Sequence, residues 1–140
     1  MKNSKIIIVF IMIIITSISG FFVYNHNKKV SLARYYYDIG EYQKASDLKI
    51  GEISDKARIL NLAKNWRDNI EYGDNQGIYI TVMLISSDIN KYDKTDNDYV
   101  NKLGLYYQNI ANYYNISKNK LDEIANMDFA KGTSEIENLK

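Results

Sequence analysis

An uncharged run, IIIVFIMIIITSISGFFV from Ile6 to Val23, limits what this chain can fold into more than any other feature. A helix that is apolar on every face needs an apolar surrounding on every face. Setting residues 1–26 aside leaves about 114 of the 140 residues, one domain's worth and too little to wrap such a helix. A membrane-spanning helix takes about 20 residues, with a range of about 17 to 25. Ile6–Tyr24 meets the lower end of that range. Apolar residues near the centre of a span each contribute roughly −0.3 to −0.6 kcal/mol to insertion, which sums here to the order of −5 kcal/mol. The sequence therefore predicts one membrane span over about residues 6–24, within a segment 1–26 that tethers the rest.

The same segment has the layout of an export signal: Lys2 and Lys5, an apolar run, then the more polar Thr16-Ser17-Ile18-Ser19-Gly20. Ser17-x-Ser19 is a poor match to a small-x-small cleavage site, and Phe21, Phe22 and Val23 continue the apolar run past it. Retention as an anchor is the expectation, with a cleaved signal peptide as the alternative. With no cysteine in the chain, a lipid-modified cysteine cannot be the tether. Lys28, Lys29 and Arg34 nearly balance Lys2 and Lys5 across the run, so the positive-inside bias is almost silent. The likeness to an export signal favours a single-pass protein of the cell membrane with its C-terminal domain extracytoplasmic.

Composition narrows the chemistry. Beyond the tether, once Lys2 and Lys5 are set aside, 16 Lys and Arg face 17 Asp and Glu, a net charge of −1. Nucleic-acid surfaces are strongly basic, so neither a nucleic-acid partner nor a polybasic lipid patch is expected. The absence of cysteine excludes disulfides and thiolate chemistry, and the single histidine, His26, lies at the exit from the apolar run. The domain thus lacks the two commonest tools of neutral-pH catalysis and zinc binding. There is no proline, which suits long helices, and there are 13 tyrosines. The excess of Ile, Lys, Asn and Tyr has the look of an AT-rich, low-GC bacterial genome.

Apolar spacing of three and four predicts helices throughout residues 27–130. After a polar exit at Asn25–Lys29, a first soluble helix starts near Val30, with Ser31 or Asn27 as cap. Gly40 turns the chain, Glu41–Leu48 forms a second helix, and Gly51 ends it. Ser54-Asp55 reads as the next start, with Ile59, Ala63, Trp66 and Ile70 on one face and Lys56 among the water-facing charges. Gly77–Ser86 is ambiguous, because its β-branched run suits a strand. Ile78, Val82, Ile85, Ile89 and Tyr92 nevertheless repeat as a helix does, and no second strand candidate exists to pair with it. A polar loop over Lys91–Asn97 leads to a capping pair at Thr95–Asp98. The helix that follows places Tyr99, Leu103, Tyr106, Ile110 and Tyr113 on one face and carries Gly104. Asn115-Ile116 breaks it, Ser117 caps, and Leu121, Ile124 and Ala125 mark a last helix. Residues 131–140 are read as a polar tail with a helical turn near Ile136 and Leu139.

Leu32–Ala45, LARYYYDIGEYQKA, resembles half of a tetratricopeptide repeat, with Leu32, Ala33, Tyr36, Gly40, Tyr42 and Ala45 at that family's spacing. Small Ala33 and Ala45 let two antiparallel helices approach, Gly40 makes the turn, and tyrosines fill the groove. It departs from the family at Lys29, Lys49 and Glu52. Leu62-Ala63-x-x-Trp66 and Ile110-Ala111-x-x-Tyr114 echo its start without a fixed period. The resemblance implies a stack of helical hairpins; an unrelated helical bundle is the alternative. Ile110–Leu121, IANYYNISKNKL, is similar to the turn of a helix-turn-helix DNA reader, but it equally reads as a tight helix–helix connection. Asp93-x-x-Asp96-x-Asp98 fails as a calcium loop because Asp98 and Gly104 stand at the sixth and twelfth positions.

The expected fold is all-α: an N-terminal transmembrane helix, then a small bundle or tetratricopeptide-like stack of about five to six helices. No catalytic, cofactor-binding or metal-binding residue is assigned, and no cofactor is expected. Consecutive tyrosines cannot all be buried on one helix, and tyrosine is enriched at interfaces. Tyr35, Tyr36, Tyr37, Tyr42, Tyr106 and Tyr107 are therefore the candidate protein-binding residues. The expected function is a membrane-tethered, non-catalytic module that holds a protein or peptide partner. The alternatives are an accessory subunit or enzyme acting on envelope material, and a helix-turn-helix-like regulator.

Overall fold

The structure, a computed structural model, describes residues 2–139, with side chains from Ile11 onward. Among the described residues every regular element is a helix, eight in all, and none is a strand. The chain divides into two compact units, Met1–Ser54 and Asp55–Lys140.

The first unit is a helical hairpin. Its long arm, α1 (Lys2–Asp38), has 37 residues and rises roughly 55 Å at 1.5 Å per residue. The break expected at Asn25–Lys29 is absent. No proline or glycine interrupts Phe21–Asp38, so the helix runs on through the polar residues. It ends in a Schellman motif: Gly40 N–H donates to Tyr37 C=O (3.1 Å) and Glu41 N–H to Tyr36 C=O (2.9 Å). Gly40 sits at φ +78°, the left-handed conformation this motif needs. The short α2 (Tyr42–Asp47) then folds back on α1, and Ala33 and Ala45 are both fully buried. Lys49 rather than Gly51 takes the left-handed position that closes α2, at φ +53°. Ser54, expected as a cap, instead lies in the first turn of α3 (Gly51–Lys64). Its hydroxyl donates to Ala45 C=O (2.7 Å) and accepts from Ile50 N–H (3.0 Å), tying the link back to α2.

Among the described residues no helix is long and apolar enough to cross a membrane. The expected span begins at Ile6–Phe10, outside the residues whose side chains are described. Its described part, Ile11–Tyr24, rises only about 21 Å against a hydrocarbon core of about 30 Å.

The second unit is built around α5 (Asn75–Tyr92), which packs against α4 (Trp66–Glu71), α6 (Asn97–Tyr113), α7 (Lys118–Ala125) and α8 (Phe129–Asn138). This is the ambiguous Gly77–Ser86 stretch, and it is helix. Asp74 caps it by accepting from Gly77 N–H (2.9 Å), and Ile78, Val82 and Ile85 are fully buried. The face Ile59, Ala63, Trp66 and Ile70 spans two helices, since Asn65 interrupts α3 and α4 by a single residue. Asp96, not Thr95, caps α6, accepting from Tyr99 N–H (3.1 Å). Asn115 at φ +53° closes a second Schellman motif, with Asn115 N–H to Asn112 C=O and Ile116 N–H to Ala111 C=O. Ser117 caps α7.

The stretch expected as a polar tail with one helical turn near Ile136 and Leu139 is mostly helix over its described residues, 131–139. Asp128 caps α8 through Lys131 N–H (3.0 Å), Ile136 is fully buried, and Gly132 lies against the ring of Tyr79. A Cβ at Gly132 would overlap that ring. Tyr79 also stacks edge-on with Phe129 at 5.7 Å and donates its hydroxyl to Met127 C=O. Buried Ile136, the close approach at Gly132 and the Phe129–Tyr79 ring contact together dock α8.

Candidate interaction surfaces

The six candidate tyrosines divide between the two units. In the first, Tyr35 is 57% exposed and its ring lies 5.6 Å from that of half-buried Tyr36. Lys44 stands over the Tyr36 ring at 5.6 Å and pairs with Glu41 at 3.2 Å. Tyr37 is half-buried and meets Tyr42 edge-on at 5.8 Å, while Tyr42 is buried in the hairpin seam. Tyr35 and Tyr36 thus form the outward aromatic surface, and Tyr42 is a packing residue rather than a docking one.

In the second unit Tyr99, Leu103 and Ile110 of the expected α6 face are fully buried, but its two later tyrosine positions are displaced by one residue. Tyr107 and Tyr114 are buried where Tyr106 and Tyr113 were expected; Tyr106 is half-buried and Tyr113 is exposed. Tyr107 therefore cannot dock a partner. Its hydroxyl donates to Asp122 (2.8 Å), and burial first, then the Asp122 carboxylate, pushes its pKa far above the ordinary tyrosine value. Such a phenol is a fixed hydrogen-bond donor at neutral pH, not a proton-transfer group. Tyr114 is buried with no hydrogen-bond partner for its hydroxyl among the described residues, and burial, then neighbouring Tyr113, pushes its pKa up to about 12.

A polar cluster not anticipated from sequence lies where α3 meets the turn before α6. Lys56, expected to face water, has a side chain only 10% exposed. Its ammonium is 2.7 Å from Asp96 and stands over the rings of Tyr92 (4.2 Å) and Tyr99 (5.3 Å). Tyr99 in turn donates to Asp88. The Lys56 hydrogen bond, opposed by partial burial and helped by Tyr99 N–H, holds the Asp96 carboxyl below the usual range. A carboxylate already committed to a lysine and a helix cap has little left for a ligand, so this cluster joins elements rather than forming a site. Between α5 and α7 a polar recess of about 330 Å³ is lined by Ser86, Asn90, Lys118, Asp122 and Asn126 with Ile89. Its one carboxylate already accepts from Tyr107. Among the described residues no group of three His, Asp or Glu could hold a metal ion.

A second concavity lies in the first unit. A groove of about 650 Å³ is lined by Phe22, Asn25, His26, Lys28, Lys29 and Leu32 of α1 and by Leu48 and Ile50 of the link that follows α2. One rim is cationic and the floor is apolar. Its walls are far apart in the sequence, because Leu48 and Ile50 reach α1 only through the hairpin. No protein-family model matches the chain, and neither does any curated protein or any solved structure.

Proposed function

We propose that the chain is a membrane-tethered, non-catalytic helical module that presents an aromatic surface to a protein or peptide partner. One observation carries the tether: from Ile11 to Tyr24 every residue of α1 is exposed, on all sides of the helix. Phe21, Phe22 and Val23 are 64%, 68% and 60% exposed. A soluble protein rarely leaves a contiguous apolar surface of that extent uncovered. Two of the hydroxyls inside the run bond to the helix's own backbone, as lipid requires. Thr16 donates to Met12 C=O (2.9 Å) and Ser19 to Ile15 C=O (2.8 Å), so neither needs water. Ile6–Phe10 complete the length of a span in this reading.

Tyr35, with Tyr36 beside it, supports the docking half, because it is a large aromatic exposed above the polar exit of the same helix. The hairpin Leu32–Ala45 is read as the tetratricopeptide-like element, and the domain is placed outside the cell membrane. A photoreactive phenylalanine at Tyr35, introduced in the host, is expected to cross-link to a discrete partner, while one at buried Tyr107 does not. Protease added to intact cells is expected to cleave the domain. No cross-link at Tyr35 would remove the docking half, and protection in intact cells would reverse the orientation.

A further inference from the structure

The groove beside the exit of the apolar run has the chemistry of an amphiphile site. Phe22, His26 and Lys29 recur at four and three residues on one face of α1. Ala33, four residues further along that face, is sealed under α2. Toward the apolar run the seam opens, leaving Phe22 and Leu32 uncovered with Leu48 and Ile50 across from them. Lys28 and Lys29 supply the cationic side, and among the described residues no carboxylate lines the groove.

Depth fits the same occupant. Lys29 lies six residues beyond Val23, a rise of about 9 Å. Headgroup layers occupy about 5–8 Å on each side of the hydrocarbon core, and lysine side chains reach along the helix toward them. With Val23 at the edge of the hydrocarbon, the two ammonium groups fall at the level of lipid phosphates, and Leu48 and Ile50 lie beside the glycerol and upper acyl chains. We infer that this groove binds the headgroup region of one anionic phospholipid, with its phosphate on Lys28 and Lys29 and its upper acyl chain against Phe22, Leu48 and Ile50. The inference rests on the tether reading.

The full chain is reconstituted into vesicles of phosphatidylcholine alone and of phosphatidylcholine with one-third phosphatidylglycerol. Flotation with phosphatidylcholine alone is the tether arm; failure there overturns the tether reading itself. Lipid retained after gentle detergent extraction, weighed by native mass spectrometry, is the groove arm. Phosphatidylglycerol is expected to be retained in preference, and Lys28→Gln and Lys29→Gln each to lower the preference about fivefold. Ile50→Ser, which leaves the charge intact, is expected to shorten retention, and Arg34→Gln, a charge-matched change outside the groove lining, to leave it unchanged. Circular dichroism verifies that each variant keeps its helix content. Equal retention of the two lipids overturns the inference, as does an Arg34→Gln loss equal to that of the lysines. Displacement of the lipid by inorganic phosphate alone, or a second copy of the chain in place of lipid, also overturns it.

Discussion

Buried tyrosines decide the second unit residue by residue, and their hydroxyls separate those that hold the fold from those that merely fill it. Tyr107 donates to Asp122, whereas the Tyr114 hydroxyl is buried without a partner. An unmade buried hydrogen bond costs more than a made one contributes. Tyr107→Phe is expected to lower unfolding stability by about 1–2 kcal/mol, and Tyr114→Phe to raise it by up to about 1 kcal/mol, both read by urea denaturation. Tyr114 also carries a pH dependence. Its folded pKa is raised to about 12 from 10.0, so its protonated form is favoured by folding. That contribution is complete below pH 10 and is lost as pH rises toward 12; Tyr114→Phe should flatten this alkaline slope.

Lys56 gives the acidic counterpart. Lys56→Ala removes the partner of part-exposed Asp96 and the ammonium over two rings, and is expected to cost about 1–3 kcal/mol. Lys56→Met with Asp96→Asn keeps the α6 cap and should lie within about 1–2 kcal/mol of the parent. Because the Asp96 carboxyl is held below its ordinary 3.8, the pair's contribution is present above that pH and fades as pH falls through the lower folded value. Stability measured through that acid range should therefore fall less steeply in the double variant.

At the scale of elements, the chain's periodicity showed helices but not always their register. Tyr106-Tyr107 and Tyr113-Tyr114 offer two tyrosines at each inward turn, so a strict alternation of four and three chose the outer pair. The position of Asp122 on α7, a tertiary fact, favours Tyr107 over Tyr106. Lys56 was misplaced for the same reason, since its partner is 40 residues away. The turns were more legible: Gly40, Gly73 and Asn115 all take positive φ, as their residue types favour. The groove was not legible, because its walls meet only after the hairpin closes. Two glycines test the element packing in opposite directions. A Cβ at Gly104 meets nothing within 4 Å, so Gly104→Ala is expected to stabilise α6 by about 1 kcal/mol. Gly132→Ala drives a methyl into the Tyr79 ring and is expected to cost about 1–3 kcal/mol. Hydrogen exchange should then locate the loss of protection in α8.

For the whole molecule, the hairpin and the α5-centred unit are ordinary helical packing, and the uncovered length of α1 is not. Its apolar residues are exposed on every side, Thr16 and Ser19 bond to its own backbone, and its polar end opens into a cationic groove. All three features fit a helix that lies in lipid up to about Val23. Alkaline carbonate extraction of membranes from cells making the full chain tests this most directly. The chain is expected to remain in the membrane pellet, and to become extractable when Ile11, Ile14 and Ile18 are all replaced by Asp. Complete release of the unaltered chain into the supernatant would contradict the account.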